Sequence, residues 1–156
     1  MISRFFFEDH REIDALFARL RRDLSESQGA PGSDAGPLAE SFHVLDQRLE
    51  RHIRWEEELL FPAVERKAPE LAQGPGRVMR LEHTQIRSYM RKIRESFAAP
   101  TFAADVLQNV RDLLQAVENI LNEHNEKEET IYYPLCDRLL SSDEAAQVLD
   151  QIRKVT

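Results

Sequence analysis

One motif occurs twice in this chain and limits what it can fold into. Residues 49–62 read LERHIRWEEELLFP, and residues 121–134 read LNEHNEKEETIYYP. Each copy has a histidine, carboxylates four and five residues later, an aromatic residue at nine and a proline at ten. Four residues turn an α-helix by about 400°, so the histidine and the first glutamate share a face. One helix can therefore offer an imidazole and a carboxylate to the same metal ion.

The sequence before each motif repeats as well. His10 and His83 each follow an acidic residue, and each precedes apolar residues at three, seven, ten and fourteen positions further on. The chain is thus interpreted as two similar helix pairs, residues 1–67 and 77–140, followed by a short helix at 142–153. We expect a single domain over residues 1–156, because the length suits one core and two copies are typical of a closed pseudo-symmetric unit.

The helical periodicity predicts an all-α, up-down-up-down four-helix bundle with a short C-terminal helix. The long helices are expected over residues 3–27, 37–66, 77–97 and 102–140, with disturbances near Pro62 and Pro134. Ser3 and Ser142 are predicted to cap the first and last helices. Glycine and proline predict connections at 28–36 and 68–76, and a tight link at 98–101. No run with two-residue alternation predicts a strand.

Each long helix is predicted to carry one histidine on its buried face, and two faces also carry a glutamate. A buried carboxylate costs several kcal/mol unless it is paired or bound to a metal ion. In an up-down bundle all four histidines fall at the same end. The predicted faces are Phe6, His10, Ile13, Phe17, Leu20 and Leu24; Leu38, Phe42, Leu45, Leu49, His52, Glu56 and Leu59; Met79, His83, Ile86, Met90, Ile93 and Phe97; and Val106, Val110, Leu113, Val117, Ile120, His124, Glu128, Ile131 and Leu135.

Four imidazoles and two carboxylates without sulfur suit iron, manganese or zinc, and carboxylates on facing helices can bridge two ions. The predicted ligands are His10, His52, Glu56, His83, His124 and Glu128. His43 lies about half a turn from the ligand face and is expected to face solvent. Other residues are interpreted as solvated or supporting charges (Glu57, Glu58, Glu126, Glu129) or as packing residues (Trp55, Tyr132, Tyr133, Cys136).

Composition limits the partners. A formal net charge of -7 argues against nucleic acid and anionic membranes. No apolar run approaches the roughly 20 residues that span a bilayer, and the apolar start at residues 1–7 is too short for a secretory signal. The lone Cys136 rules out an internal disulfide and a thiolate-rich zinc site, and fits a reducing compartment. We therefore expect a cytoplasmic location.

At these residues the chain resembles the hemerythrin-like family, also called the HHE cation-binding domain. The likeness runs from His10 to about Leu140 and includes Glu-His in the third helix and His-x-x-x-Glu before Phe-Pro and Tyr-Pro. It implies a four-helix bundle with a carboxylate-bridged non-haem centre of two iron ions, or of manganese or zinc as substitutes. The terminal ligands implied are His10, His52, His83 and His124, and the bridging ligands implied are Glu56 and Glu128.

One position departs from the oxygen-carrying hemerythrins, which have two histidines four residues apart in the third helix. Here Arg87 follows His83 at that spacing. Two function classes stay open. The favoured one is a metal-binding module without catalytic residues that binds or senses oxygen, nitric oxide or iron, with a protein partner if it reports a signal. The alternative is a di-iron oxidoreductase acting on oxygen, peroxide or nitric oxide.

Overall fold

The computed structural model describes residues 1–27, 35–98 and 103–155, and every regular element within these ranges is a helix. The α-helices are α1 (Ile2–Glu26), α2 (Gly36–Trp55), α3 (Phe61–Glu65), α4 (Pro75–Phe97), α5 (Ala104–Lys127), α6 (Tyr133–Leu139) and α7 (Ser142–Lys154). The long helices α1, α2, α4 and α5 form the predicted bundle, with α1 against α2 and α4 against α5.

The helices alternate in direction, as predicted. His10, near the start of α1, meets His52, near the end of α2, and His83 and His124 meet in the same way on α4 and α5. A 3-10 turn at Pro69–Ala72 lies in the connection expected at 68–76. The connections expected at 28–36 and 98–101 lie largely outside the described residues. No described helix is long and apolar enough to cross a membrane.

Helices α2 and α5 both continue into a π turn that begins at the motif glutamate. The turns are Glu56–Leu60 and Glu128–Tyr132, and each closes with a five-residue hydrogen bond, from the Phe61 N–H or the Tyr133 N–H to the glutamate carbonyl. Pro62 and Pro134 follow in the first turn of α3 and α6. Since proline has no N–H to donate, this position avoids breaking the helical path. The disturbance predicted from the prolines is thus a π turn.

The π turns make part of the predicted buried faces wrong. A π turn holds one more residue than an α-turn, so the residues beyond it are rotated relative to a regular helix. Leu60 and Phe61 are buried and Leu59 is half-buried. In the second copy Tyr132 and Tyr133 are buried, whereas Ile131 is 61% exposed. The inward-facing aromatic residues therefore follow from the turn rather than from a three-four rhythm.

The buried face of α5 also differs from the prediction. Apolar residues occur there in adjacent pairs at 106–107, 113–114 and 120–121, and the second member of each pair is the buried one. Helix α5 packs mainly against α4 and less against α1, which selects one edge of a broad apolar face. Phe97 and Leu135 are half-buried. The predicted faces of α1 and of α4 up to residue 93 are confirmed.

Two apolar clusters hold the bundle. The first is mainly aliphatic and runs along α1, α2, α4 and α5. The second is rich in aromatic residues, includes Phe6, Phe61 and Tyr133, and is closed by the apolar face of α7. Between them lies a layer of buried histidine and glutamate side chains. The polar layer is therefore packed on both sides, which restricts the rotamers of its residues.

Both predicted serine caps are wrong. Asp137 of α6 accepts hydrogen bonds from the backbone N–H groups of Ile2 (2.7 Å) and Ser3 (3.2 Å), so it satisfies the start of α1 from another helix. Ser141, one residue earlier than predicted, caps α7. Its hydroxyl accepts from the Glu144 N–H, and the Glu144 carboxylate accepts from the Ser141 N–H, which is a capping box.

Candidate metal centre

The six residues predicted as ligands meet at one level of the bundle, between the aliphatic and aromatic clusters. None is more than 3% exposed. Four sit on the four long helices and two begin the π turns. Buried ionisable groups are costly unless they neutralise one another or bind an ion. The structure brings together the whole predicted set: His10, His52, Glu56, His83, His124 and Glu128.

The imidazoles form two pairs. Nε2 of His10 lies 3.1 Å from Nε2 of His52, and we call these residues the first imidazole pair. Nε2 of His83 lies 3.1 Å from Nε2 of His124, which form the second imidazole pair. Each pair comes from one sequence repeat, so each helix pair supplies two nitrogen donors at one point.

Two carboxylates face both pairs. Glu128 has Oε2 3.4 Å from Nε2 of His10 in the first pair and Oε1 3.0 Å from Nε2 of His124 in the second. Glu56 Oε2 lies 3.6 Å from a first-pair nitrogen and 3.2 Å from a second-pair nitrogen. The donor atoms form two overlapping groups, each within 4.8 Å, and Glu128 belongs to both. Glu128 could therefore offer one oxygen to a cation at each imidazole pair.

Four carboxylates surround the imidazoles, and each accepts a hydrogen bond from the second ring nitrogen, Nδ1, of one histidine. Each Nδ1 lies 2.7–2.9 Å from a carboxylate oxygen. Such an acceptor places the hydrogen on Nδ1 and leaves the Nε2 lone pair directed inward. Sequence reasoning missed the role of Asp9 and Glu82. The signal was that an acidic residue directly precedes both His10 and His83. The pairs are His10–Glu129, His52–Asp9, His83–Glu57 and His124–Glu82.

The donors fit a bound cation. With the hydrogen on Nδ1, each imidazole pair brings two Nε2 lone pairs to 3.1 Å, a repulsive contact unless a proton or metal ion lies there. In this tautomer, with no hydrogen on Nε2, Glu56 Oε2 and Glu128 Oε1 are buried and accept no hydrogen bond within the described part of the chain. Buried carboxylate oxygens without partners are costly. Metal ions would satisfy the nitrogens and the oxygens together, and this N/O donor set suits iron, manganese or zinc.

Protons can take the place of cations at this centre. Burial lowers the pKa of His10, but its hydrogen bond to Glu128 and the charge of Glu128 outweigh burial and raise the pKa to about 9. Burial likewise lowers the pKa of His83, and hydrogen bonds to Glu56 and Glu57 raise it to about 9. Burial raises the pKa of Glu128, yet the charge of His124 and hydrogen bonds from histidine hold it well below its usual range. A metal ion must therefore displace protons.

Tyr133 contacts the centre directly, which sequence reasoning missed. Its hydroxyl donates to Glu56 Oε1 at 2.5 Å and lies 3.0 Å from Glu128 Oε2 and 3.2 Å from Nε2 of His10. Burial raises its pKa well above the usual value, so it stays a phenol at neutral pH. The signal was a hydroxyl-bearing aromatic at the ninth position, where the first copy has Phe61 stacked 5.9 Å from the His83 ring.

Comparison with known proteins agrees with the helical bundle and with cation binding. Residues 1–136 match the sequence model of the hemerythrin HHE cation binding domain. The chain belongs to this hemerythrin family. It is also 24% identical over 137 residues to the iron-sulfur cluster repair protein YtfE of Edwardsiella ictaluri (strain 93-146). That match covers 86% of this chain and 62% of the relative, so the chain spans less than two thirds of that protein.

Arg87, the departure from the oxygen-carrying hemerythrins, does not enter the centre. Its guanidinium donates to both carboxylate oxygens of Glu50 and to Glu57 Oε2, each at 2.9 Å. Glu57 in turn accepts from Nδ1 of His83. Arg87 thus lies behind the carboxylate that orients a predicted ligand. In this hemerythrin-like chain the expected solvent-facing position of His43 is confirmed, and Cys136 is buried, which raises its pKa.

Proposed function

We propose that the centre holds two iron ions, one at each imidazole pair, with Glu56 and Glu128 shared between them. The opposed Nε2 atoms, 3.1 Å apart in both pairs, carry this proposal. Membership of the cation-binding family supports it. The six ligands were expected from the sequence, and their convergence supports the assignment without an added residue. Manganese or zinc could occupy the same donors.

We further propose that the protein binds a small diatomic molecule, oxygen or nitric oxide, at this centre. Iron would supply one-electron chemistry and coordination positions for such a ligand. A cavity of about 10 Å³ borders His10, His52 and His124, with apolar walls that include Leu49 and Ile86. The cavity has room for about one water-sized molecule. The apolar part of its walls disfavours charged ligands, and its size favours very small ones.

A second candidate function is iron-sulfur cluster repair. The observation behind it is the likeness to a protein that carries this name. In such a role the centre would release iron to a damaged cluster rather than retain a diatomic ligand. Incubation of the iron-loaded chain with a protein that has lost cluster iron separates the two, because only the repair role predicts net iron transfer.

Metal analysis tests the primary proposal. The protein is purified without oxygen, loaded with ferrous iron and assayed for bound metal and visible spectrum. We expect two irons per chain and a spectral change on exposure to nitric oxide or oxygen. Binding of one iron or none would reject the two-iron centre. Two bound irons without any response to either gas would reject the ligand-binding part alone.

The reaction with oxygen should not reverse. Arg87 stands where oxygen carriers have a fifth histidine, so the centre has four. Its guanidinium contacts Glu50 and Glu57 and does not replace that ligand. We expect the ferrous protein to become oxidised when mixed with oxygen and to stay oxidised when the oxygen is removed. Spectra before and after removal are the measurement. Full return of the ferrous spectrum without a reductant would restore the carrier role.

A further inference from the structure

The two imidazole pairs differ in the charges that lie behind them. At the second pair, both carboxylates that accept from Nδ1 are matched by cations. Glu57 Oε2 accepts a hydrogen bond from Arg87 at 2.9 Å, and Glu82 forms an ion pair with Lys127. A cation beside each carboxylate offsets much of its field at the metal position.

At the first pair only one carboxylate is matched. Asp9 forms an ion pair with Arg48, and Arg48 is shared with a further carboxylate, Glu12. Glu129 accepts from Nδ1 of His10 at 2.7 Å. Within residues 1–27, 35–98 and 103–155, no arginine or lysine forms an ion pair with Glu129. Its charge therefore acts on the first pair without an offsetting cation.

The sequence repeat places opposite charges at equivalent positions. Arg87 stands four residues after His83, and Asp14 stands four residues after His10. Asp14 lies within electrostatic range of the first pair. Burial raises its pKa, His10 lowers it and Glu129 raises it further. Arg21, which also acts on Asp14, is engaged with Glu118 at 2.7 Å. An anion thus replaces the cation of the other half.

Among the described residues, and with the Arg21–Glu118 ion pair set aside as neutral, four carboxylates and one cation lie around the first pair, while three carboxylates and two cations lie around the second. They are Asp9, Glu12, Asp14, Glu129 and Arg48; and Glu50, Glu57, Glu82, Arg87 and Lys127. Solvent screens Asp14 and Glu12, which are exposed. Glu129 is only 27% exposed, so it makes the largest contribution to the difference.

We infer that the two metal positions are unequal, and that the position at His10 and His52 binds the first cation and favours the more highly charged one. Both shared carboxylates lie closer to the second pair, which opposes this order: Glu56 Oε2 lies at 3.2 Å against 3.6 Å, and the nearest Glu128 oxygen at 3.0 Å against 3.4 Å. The donor group at the second pair accordingly has four members and that at the first has three. Small rotations of the two carboxylates would remove differences of that size, whereas the unmatched charge of Glu129 acts on the first pair in either rotamer. The inference deepens the proposed two-metal centre and concerns its order of filling.

Zinc titration of the metal-free chain tests the order. Zinc is diamagnetic, so the histidine ring nitrogens can be followed by NMR in protein labelled with 15N-histidine. We expect the His10 and His52 signals to change with the first equivalent, and those of the second pair with the second. Glu129→Gln and Asp14→Arg should each reduce the preference, Glu129→Gln on the order of tenfold. Asp112→Arg, the same charge change at an exposed site on α5, should leave the order intact.

The inference is supported if the two pairs fill in the expected order, and if that order is lost or weakened in Glu129→Gln and Asp14→Arg but kept in Asp112→Arg. Simultaneous change of all four histidines, earlier filling of the second pair, an order unaffected by both variants, or absence of zinc binding overturns it. A chain that fills with zinc in the expected order but binds no iron upholds the inequality and rejects the two-iron proposal.

Discussion

Two copies of one segment build this centre, and they end differently. In the first copy, the residue after the π turn is Phe61, whose ring stacks on His83 and offers no polar atom. In the second it is Tyr133, whose hydroxyl contacts both shared carboxylates. The backbone course is the same, with a π turn from the motif glutamate in each. The duplicated pattern thus fixes the placement of the predicted ligands, while single substitutions make the two halves chemically unequal.

The largest expected effect comes from removing a shared carboxylate. Glu56→Ala and Glu128→Ala should each weaken the binding of both metal ions by at least about a hundredfold, because each carboxylate faces both imidazole pairs. Metal content after dialysis against a weak chelator is the measurement. If either variant keeps one ion at full affinity, that carboxylate belongs to one half only.

Exchanging the two aromatic residues should cost stability in both directions. Tyr133→Phe leaves Glu56 Oε1 buried without its donor, and we expect the free energy of unfolding to fall by about 1–3 kcal/mol. Phe61→Tyr places a hydroxyl at a fully buried position, with a similar expected loss. Urea unfolding of the metal-free proteins measures both. Parental stability in either variant would show that the halves tolerate each other's aromatic residue.

Both halves should contribute to a pH dependence of stability. The pKa values of His10 and His83 are raised to about 9, so between pH 6.5 and 9 the folded metal-free protein binds more protons than the unfolded chain. The stabilisation is complete below pH 6.5 and is lost as the pH rises through 9, by up to about 3 kcal/mol per histidine. Urea unfolding at pH 6 and 9 measures it. A metal-free protein more stable at pH 9 would contradict the assignment.

The smallest effect is expected at an exposed position where the two copies carry different residues. His43 occupies the position that Gln115 has in the second copy, and both side chains are exposed. His43→Gln should change the free energy of unfolding by less than about 0.5 kcal/mol and leave the metal content intact. Loss of metal in this variant would mean that a fifth histidine takes part.

The sequence was sufficient for the bundle and for the convergence of six donors, since both follow from a helical period that His10, His52, His83 and His124 obey. It did not predict which side chains are buried beyond Glu56 and Glu128. The residue order does not indicate where a five-residue hydrogen bond replaces the four-residue bond of an α-helix. Tyr133 and the exposed position of Ile131 were missed for this reason. Asp9 and Glu82 were missed because the tautomer of a histidine depends on its neighbours in space.

The π turns also bear on which mutations this chain tolerates. Deleting one residue after Glu56 within Glu56–Leu60 would convert the π turn to a regular α-turn, because the π turn holds one residue more. The helix beyond would keep nearly the same rotation, so Phe61 would stay in the aromatic cluster. Deleting a residue from the regular part of α2 would instead rotate everything beyond it by about 100°. A one-codon deletion should therefore be better tolerated within this turn than elsewhere in α2.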